Sequence, residues 1–251
     1  MSNLFIKGVT DSVSLKRPLY ILNRSPRAKN YFIAVCILNI IMILSFIVIT
    51  AAINPSSTIK LLFIKTCFMF LSLAIGAQLQ KIIASAAIAE ISLQPRPSSQ
   101  DFENPMFNTV FRVLSIIGYS IQSTLLSFIP FGFIFDIVFT SLQTSLYSFE
   151  SQLMYQGLTF SQSCHVIENN WIYFLGFGLP LAVLRLILPS FLSMFAFPLF
   201  LPLLLLTAAT AKPTSEGTPP PDTISLNVFT FPFKLSTWVL RQYSSVIAKS
   251  D

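Results

Sequence analysis

Charged side chains are scarce in this sequence of 251 residues. Asp, Glu, Lys and Arg make up 10% of it, against about 25% in an average soluble domain. Apolar residues make up 53%, and a soluble domain of this length cannot hide so much apolar surface from water. A disordered chain is also excluded, because disorder goes with many charges and few aromatic residues, whereas this sequence has 25 Phe. The composition predicts a membrane protein of one compact unit.

Groups suited to acid–base chemistry are equally few. The sequence has 10 Asp and Glu residues and a single His, so we expect no enzyme and no cofactor. His165 and Glu168 are three residues apart and share a helix face. A metal site needs three or four ligands, so we interpret these two residues as a surface pair and expect no metal.

Cysteine and glycine are both rare, and neither forms a binding motif. Cys36, Cys67 and Cys164 include no CxxC pair, so a disulfide framework or a metal cluster is not expected. The Gly-Phe-Gly run at 176–178 lacks the Lys and the Ser or Thr of a phosphate loop, and it follows no strand. Close helix packing there, or a bend before Pro180, is the simpler interpretation.

The few charges are unevenly placed. The net charge is +6, and Asp11 is the one acid among the first 30 residues. A basic flank beside a membrane span normally stays in the cytosol and can rest on anionic lipid headgroups, whereas nothing here resembles a nucleic-acid module. Residues 1–30 are therefore predicted to form a basic cytosolic arm that binds no nucleic acid. Its cations are Lys7, Lys16, Arg17, Arg24, Arg27 and Lys29.

Long apolar runs dominate the rest of the sequence. Residues 31–211 form the predicted membrane domain, and residues 212–251 follow as a loop and an amphipathic, interfacial tail. The first apolar segment is uninterrupted and extends about 35 Å as a helix, enough to cross a hydrocarbon core of about 30 Å. We interpret it as an uncleaved signal-anchor span. The four apolar segments are 31–53, 59–93, 110–149 and 171–211.

Proline and glycine break the third and fourth segments. In 110–149 the break lies at 127–132, around Pro130 and Gly132, and it leaves two halves of about 16 residues, short for a full crossing. Such halves fit a re-entrant helical hairpin or one kinked span, and we favour the hairpin. Four prolines in 171–211 likewise predict a broken pair of helices. The predicted fold is all-α: a polytopic integral membrane protein with long transmembrane helices and Pro/Gly-broken re-entrant hairpins.

Two charges lie inside the broken segments. Arg185 is interpreted either as a side chain that reaches the headgroups or pairs with Asp136, or as an anion contact, because a charge at membrane depth usually faces a partner or a cavity. We favour the first interpretation. Asp136 follows the Pro-Gly break by four residues and is expected to cap the start of a helix.

One block of the sequence resembles a known family. The block covers residues 147–182, with Tyr-Ser-Phe-Glu at its start, Ile-Glu-Asn-Asn-Trp at 167–171 and Gly-Phe-Gly-Leu-Pro-Leu-Ala at its end. It closely resembles the etoposide-induced endoplasmic-reticulum membrane protein family, itself distantly related to the bacterial CysZ sulfate-uptake proteins. Ile172 departs from the family pattern, which has Pro there. The family-motif residues are Tyr147, Phe149, Glu150, Gly157, Glu168, Asn170, Trp171, Tyr173, Gly176, Phe177, Gly178 and Pro180.

The resemblance implies a multi-pass protein of the endoplasmic reticulum membrane that is not an enzyme and supports autophagy. The expected partners are the lipid bilayer and membrane proteins or components of the autophagy machinery. A homo-oligomer is also compatible with the resemblance. Two alternatives remain open. The broken half-helices and Arg185 fit a CysZ-like anion permease for sulfate, whereas short paired half-helices and the amphipathic tail fit a membrane-shaping hairpin protein.

Overall fold

Helices account for every element in the part of the chain that the structure describes, and no strand occurs there. The computed structural model describes residues 2–52, 131–188 and 190–211, together with isolated positions within 82–130 and 228–238. The all-α class is confirmed for these residues. The predicted segment 59–93 (apart from Ile82) and most of 110–130 and 212–251 lie outside the described residues.

The basic arm is helical. α1 (Ser2–Val13) and α2 (Lys16–Arg24) precede α3 (Pro26–Ala52). The Oγ of Ser25 accepts a hydrogen bond at 3.3 Å from the Ala28 backbone N–H, which caps α3. Proline suits the first helical position because it has no N–H to leave unpaired. The helix therefore begins at residue 26 rather than at the predicted residue 31, and it includes the last basic residues of the arm.

α3 has the length and the composition of a membrane span, and among the described helices it is the one that meets both criteria by itself. Its 27 residues extend about 40 Å. Only 17% of its apolar window, Pro26–Ile49, is buried, whereas the core helix of a soluble protein is mostly buried. Its branched apolar side chains Ile37, Leu44 and Val48 are each more than half exposed.

The break predicted at 127–132 is confirmed, because α4 (Gly132–Tyr155) begins within it. Phe131, directly before the helix, adopts the left-handed conformation with φ of 64°. The predicted end of this half at residue 149 is wrong, since α4 has 24 residues and ends at Tyr155. Residues 150–155 begin with the polar run Glu-Ser-Gln but contain no Pro or Gly, so the helix continues through them.

A glycine turn and a capping box follow α4. Gly157 has φ of 86°, and two backbone hydrogen bonds within Leu153–Leu158, of 3.0 and 3.1 Å, form the Schellman pattern that ends a helix at glycine. α5 (Phe160–Asn169) then begins with a capping box, in which Thr159 and Gln162 exchange side-chain-to-backbone hydrogen bonds. The residues between the third and fourth apolar segments, 150–170, are thus mostly helical.

The fourth apolar segment is a broken pair of helices, as predicted. α6 (Trp171–Ile187) ends before Leu188, whose backbone is extended, and α7 (Ser190–Thr210) is a separate helix. Pro180 lies inside α6, and two further prolines lie inside α7. A second bend, of 97°, separates α5 from α6. If α5 and α6 are taken as one broken span, the described residues contain two candidate spans.

The long helices α3, α4, α6 and α7 run in alternating directions along the chain, which gives the structure two different ends. Arg185, near the end of α6, donates to Thr140 near the start of α4, and the Gln152 side-chain amide donates to the Ala211 carbonyl just after α7. The start of α3 and the end of α7 share one apolar cluster. We call the end with residues 26–29, 152–155, 171–174 and 208–211 the basal end. The opposite end, with residues 131–135 and 184–188, is the distal end.

Candidate functional site

The block of residues 147–182 includes a buried corner at the basal end, where α5 meets α6. Asn170 belongs to both helices: its backbone N–H and its side-chain amide each donate to the Val166 carbonyl at 3.1 Å. Its own carbonyl accepts the backbone N–H groups of Tyr173 and Phe174 at 3.1 and 3.3 Å. The short polar side chain of Asn suits this position, because it can bond locally to the backbone where one helix ends and the next begins.

Four aromatic rings fill the inside of the corner. Phe149 of α4 meets Tyr173, Phe174 and Phe177 of α6 edge to face, with ring centroids 6.3, 5.1 and 4.8 Å apart. Each ring is at most 1% exposed. Edge-to-face pairs contribute about 0.5–1.5 kcal/mol beyond the burial of their area, so this cluster holds α4 and α6 in one register.

The two glycines of the Gly-Phe-Gly run are close-packing positions, which confirms the sequence-based interpretation. A Cβ on Gly176 would collide with the Phe5 carbonyl oxygen, and a Cβ on Gly8 would collide with the Tyr173 carbonyl oxygen, so α1 and α6 cross glycine against glycine. A Cβ on Gly178 would collide with the Ser141 carbonyl oxygen of α4. Only residues without side chains allow backbones to approach so closely.

A polar relay ties the basic arm to the corner. The Tyr173 hydroxyl donates to Asp11 Oδ2 at 2.9 Å, and Arg17 Nη2 lies 2.8 Å from Asp11 Oδ1. Lys7 Nζ lies 5.9 Å from the centroid of the Tyr173 ring, within the range of a cation–π contact. Asp11 is 6% exposed. The sequence signal for this role was its position as the single acid in a basic arm, but its partner on α6 was not predictable from the sequence.

The expectation that His165 and Glu168 form a surface pair is wrong for Glu168, which is buried. The His165 side chain is 68% exposed and lies 3.4 Å from Glu168, as the spacing predicted, but the Glu168 side chain is only 4% exposed. Its Oε1 accepts the backbone N–H of Phe229 at 2.8 Å. Burial raises the pKa of Glu168, and the bonds from Phe229 and His165 oppose that shift. Glu168 therefore anchors Phe229, which is 1% exposed within the same core.

The other motif residues have packing or turn roles. Glu150 is 3% exposed, Gly157 forms the left-handed turn after α4, and Trp171 packs half-buried against the aromatic core. The Tyr147 hydroxyl accepts a hydrogen bond from the Gln143 side-chain amide at 3.3 Å. Pro180 lies half-buried inside α6. No group of three or more His, Cys, Asp and Glu side chains placed to hold a metal occurs among the described residues.

The two charges of the broken segments lie away from the corner. Arg185 is exposed in the last turn of α6, where a cation interacts favourably with the helix dipole, and its Nη1 is 3.5 Å from Thr140 Oγ1. The expectation that Asp136 caps a helix is wrong. α4 begins at Gly132 after Phe131, and no side chain caps it; Asp136 lies more than one turn inside the helix.

Comparison with known proteins gives one partial match. The chain is 29% identical over 134 residues to the curated protein "Ectopic P granules protein 4" of Caenorhabditis elegans, which corresponds to 52% of this chain and 42% of that protein. The match thus spans less than half of the length of this relative. No family model matches the chain, and no solved structure matches it.

Proposed function

We propose that this protein is a non-enzymatic, multi-span protein of the endoplasmic reticulum membrane that supports autophagy. The observation that carries the proposal is the similarity to "Ectopic P granules protein 4" over about half of the chain. It agrees with the resemblance of residues 147–182 to the etoposide-induced membrane protein family. In this proposal the protein resides in the lipid bilayer, and its partners are other membrane proteins or components of the autophagy machinery.

The distribution of side chains supports residence in a membrane. Small polar residues of α4, such as Ser141, Ser145 and Ser148, are buried, whereas large apolar residues of α3 are exposed. In water the reverse arrangement is favoured. In lipid, small residues permit close helix packing and apolar side chains face the acyl chains, so this pattern favours several membrane-embedded helices.

The corner supports a scaffold rather than a catalyst. Its motif residues pack rings, close a turn, or bind α1 and Phe229, and these contacts are all made within the chain. A rigid corner that binds both the arm and Phe229 can hold cytosolic surfaces in a fixed arrangement for partner proteins. This role requires no substrate chemistry.

The test is rescue of autophagic flux in cells that lack the protein. Tagged wild type should localise to the endoplasmic reticulum and restore flux. Gly178→Val should fail, because its side chain cannot fit against α4. Leu186→Val, at a 56% exposed position of the same helix, is the matched control and should rescue. Normal flux in the deletion cells, or wild type in another membrane, would contradict the proposal.

A membrane-shaping hairpin protein is the second candidate, and an apolar surface at the distal end favours it. Phe128, Phe131 and Ile187 are 80%, 73% and 73% exposed, so this end can wedge into one leaflet. Purified protein should then reduce vesicle diameter, and Phe131→Ser with Ile187→Ser should weaken the effect. Vesicles of unchanged diameter with wild-type protein would exclude this function.

A further inference from the structure

The outer surface of the arm combines cations with exposed apolar side chains. On α2 the outward positions include Leu19 and Tyr20, 55% and 57% exposed, and the Arg24 guanidinium donates to the Tyr20 hydroxyl at 2.7 Å. Leu15, just before α2, is 61% exposed. We call this surface the basal patch. Its residues are Leu15, Lys16, Leu19, Tyr20, Arg24, Arg27 and Lys29, all of them exposed.

The fold removes the one negative charge from this surface. Asp11 is the single acid in the described residues 2–52. Its carboxylate is turned inward, paired with Arg17 at 2.8 Å and hydrogen-bonded by Tyr173 of α6. The cations of the basal patch therefore face outward with no exposed carboxylate from α1, α2 or α3 beside them.

The basal patch lies at the level where α3 changes from polar to apolar. One residue, Ser25, joins α2 to α3, and Arg27 and Lys29 lie in the first turns of α3, just before the exposed Tyr31 and Ile33. Cations next to exposed Leu and Tyr are the composition of a helix in a membrane interface. Exposed leucines contribute nothing to the binding of nucleic-acid phosphates, whereas they can insert into lipid. A lipid surface is therefore the better fit.

We propose that the basal patch docks on the anionic lipid headgroups of the leaflet that α3 enters. The cations contact lipid phosphates and carboxylates, while Leu15 and Leu19 insert at the boundary between headgroups and acyl chains. This inference rests on the proposed membrane function and adds the lipid class that the arm recognises. Each cation near an anionic surface contributes about fivefold to the docked-to-undocked ratio, equivalent to about 1 kcal/mol.

The experiment measures how deeply α2 lies in lipid. Full-length protein with its native cysteines changed to alanine receives Leu19→Cys, labelled with an environment-sensitive fluorophore. It is reconstituted in vesicles of phosphatidylcholine alone or with phosphatidylserine. With phosphatidylserine, the emission should shift to the blue and iodide should quench it poorly. Added salt, or phosphatidylcholine alone, should expose the label, because the attraction is electrostatic.

Charge variants show which side chains are responsible. The variant K16Q/R24Q/R27Q/K29Q should lower the docked-to-undocked ratio by more than tenfold and remove its dependence on phosphatidylserine. The matched control K234Q neutralises an exposed lysine outside the patch and should behave like wild type. Circular dichroism checks that both variants keep their helices.

The outcomes separate this inference from the proposed function. If alkaline extraction releases the protein from the vesicles, the chain does not span the membrane, and both the proposed function and this inference fail. If the protein stays inserted but the label is equally exposed in both lipid mixtures, or the fourfold variant matches wild type, the inference alone is overturned.

Discussion

α3 and the interface between α4 and α6 place their side chains in opposite ways. α3 exposes Ile, Leu and Val and buries little of its length. The α4–α6 interface buries serines, threonines, glycines and aromatic rings. α3 thus depends on its surroundings for stability, whereas α4 and α6 depend on each other. The difference shows that apolar content alone does not determine how these helices pack, and that small and aromatic residues do.

The largest expected effect tests close packing. Gly178→Val should reduce the free energy of unfolding by about 3 kcal/mol or more, because its side chain would meet backbone of α4 that cannot move aside. Ala34→Val also introduces a valine, at an exposed position of α3. It should change the free energy of unfolding by less than about 0.5 kcal/mol. Denaturation followed by circular dichroism in detergent measures both. Equal effects of the two variants would remove the distinction between the helices.

The relay between the arm and the corner should give the next largest effect. Tyr173→Phe leaves Oδ2 of the buried Asp11 without its hydroxyl donor, while Arg17 still pairs with Oδ1, and it should cost about 1–3 kcal/mol. Tyr31→Phe on α3, where Tyr31 is 40% exposed, should cost almost nothing. A double-mutant cycle of Tyr173→Phe with Asp11→Ala should give a coupling energy of at least about 0.5 kcal/mol. Additive effects would show that the two residues do not stabilise each other.

Glu168 should give a smaller effect that depends on pH. Its pKa is raised in the folded state by burial, against about 4.3 in the unfolded chain. Its contribution is therefore fully present below about pH 4.3 and is lost as the pH rises through the folded-state pKa. Glu168→Gln stays neutral, so its stability relative to wild type should increase as the pH rises.

The control for this titration is a His165→Gln background, which removes the imidazole that lies 3.4 Å from Glu168. The increase should persist there, measured as the difference in unfolding free energy across a pH series. A difference that stays flat, or that falls with rising pH, would contradict the assignment to Glu168.

The smallest expected effect concerns Arg185. Arg185→Ala removes an exposed cation with a 3.5 Å contact to Thr140 and should cost less than about 1 kcal/mol. Lys234→Ala, at an exposed lysine outside the basal patch, is the matched control. Sulfate flux into proteoliposomes tests the anion-contact alternative directly. Flux that is present in wild type and lost in Arg185→Ala would assign this side chain to an anion route.

The sequence predicted those features that depend on local chemistry. The break before Gly132, the division of 171–211 into two helices and the close packing at residues 176–178 all follow from residues that lack a donor or a side chain. The extent of α4 was missed, because the apolar segment ends at residue 149 although no helix breaker occurs at 150–155. The roles of Asp11 and Glu168 were missed because their partners, Tyr173 and Phe229, are 162 and 61 residues away.

By itself the sequence determined the all-helical class of the described residues, the basic arm, one long apolar helix and the block of residues 147–182. These depend on composition and on short-range backbone preferences, which act within a few residues. Only the tertiary structure decided that the block is a corner, that it binds α1 and Phe229, and that Asp11 is hidden from the basic surface. Such contacts join distant positions, and burial changes the energy of a carboxylate only once the chain has brought its partners together.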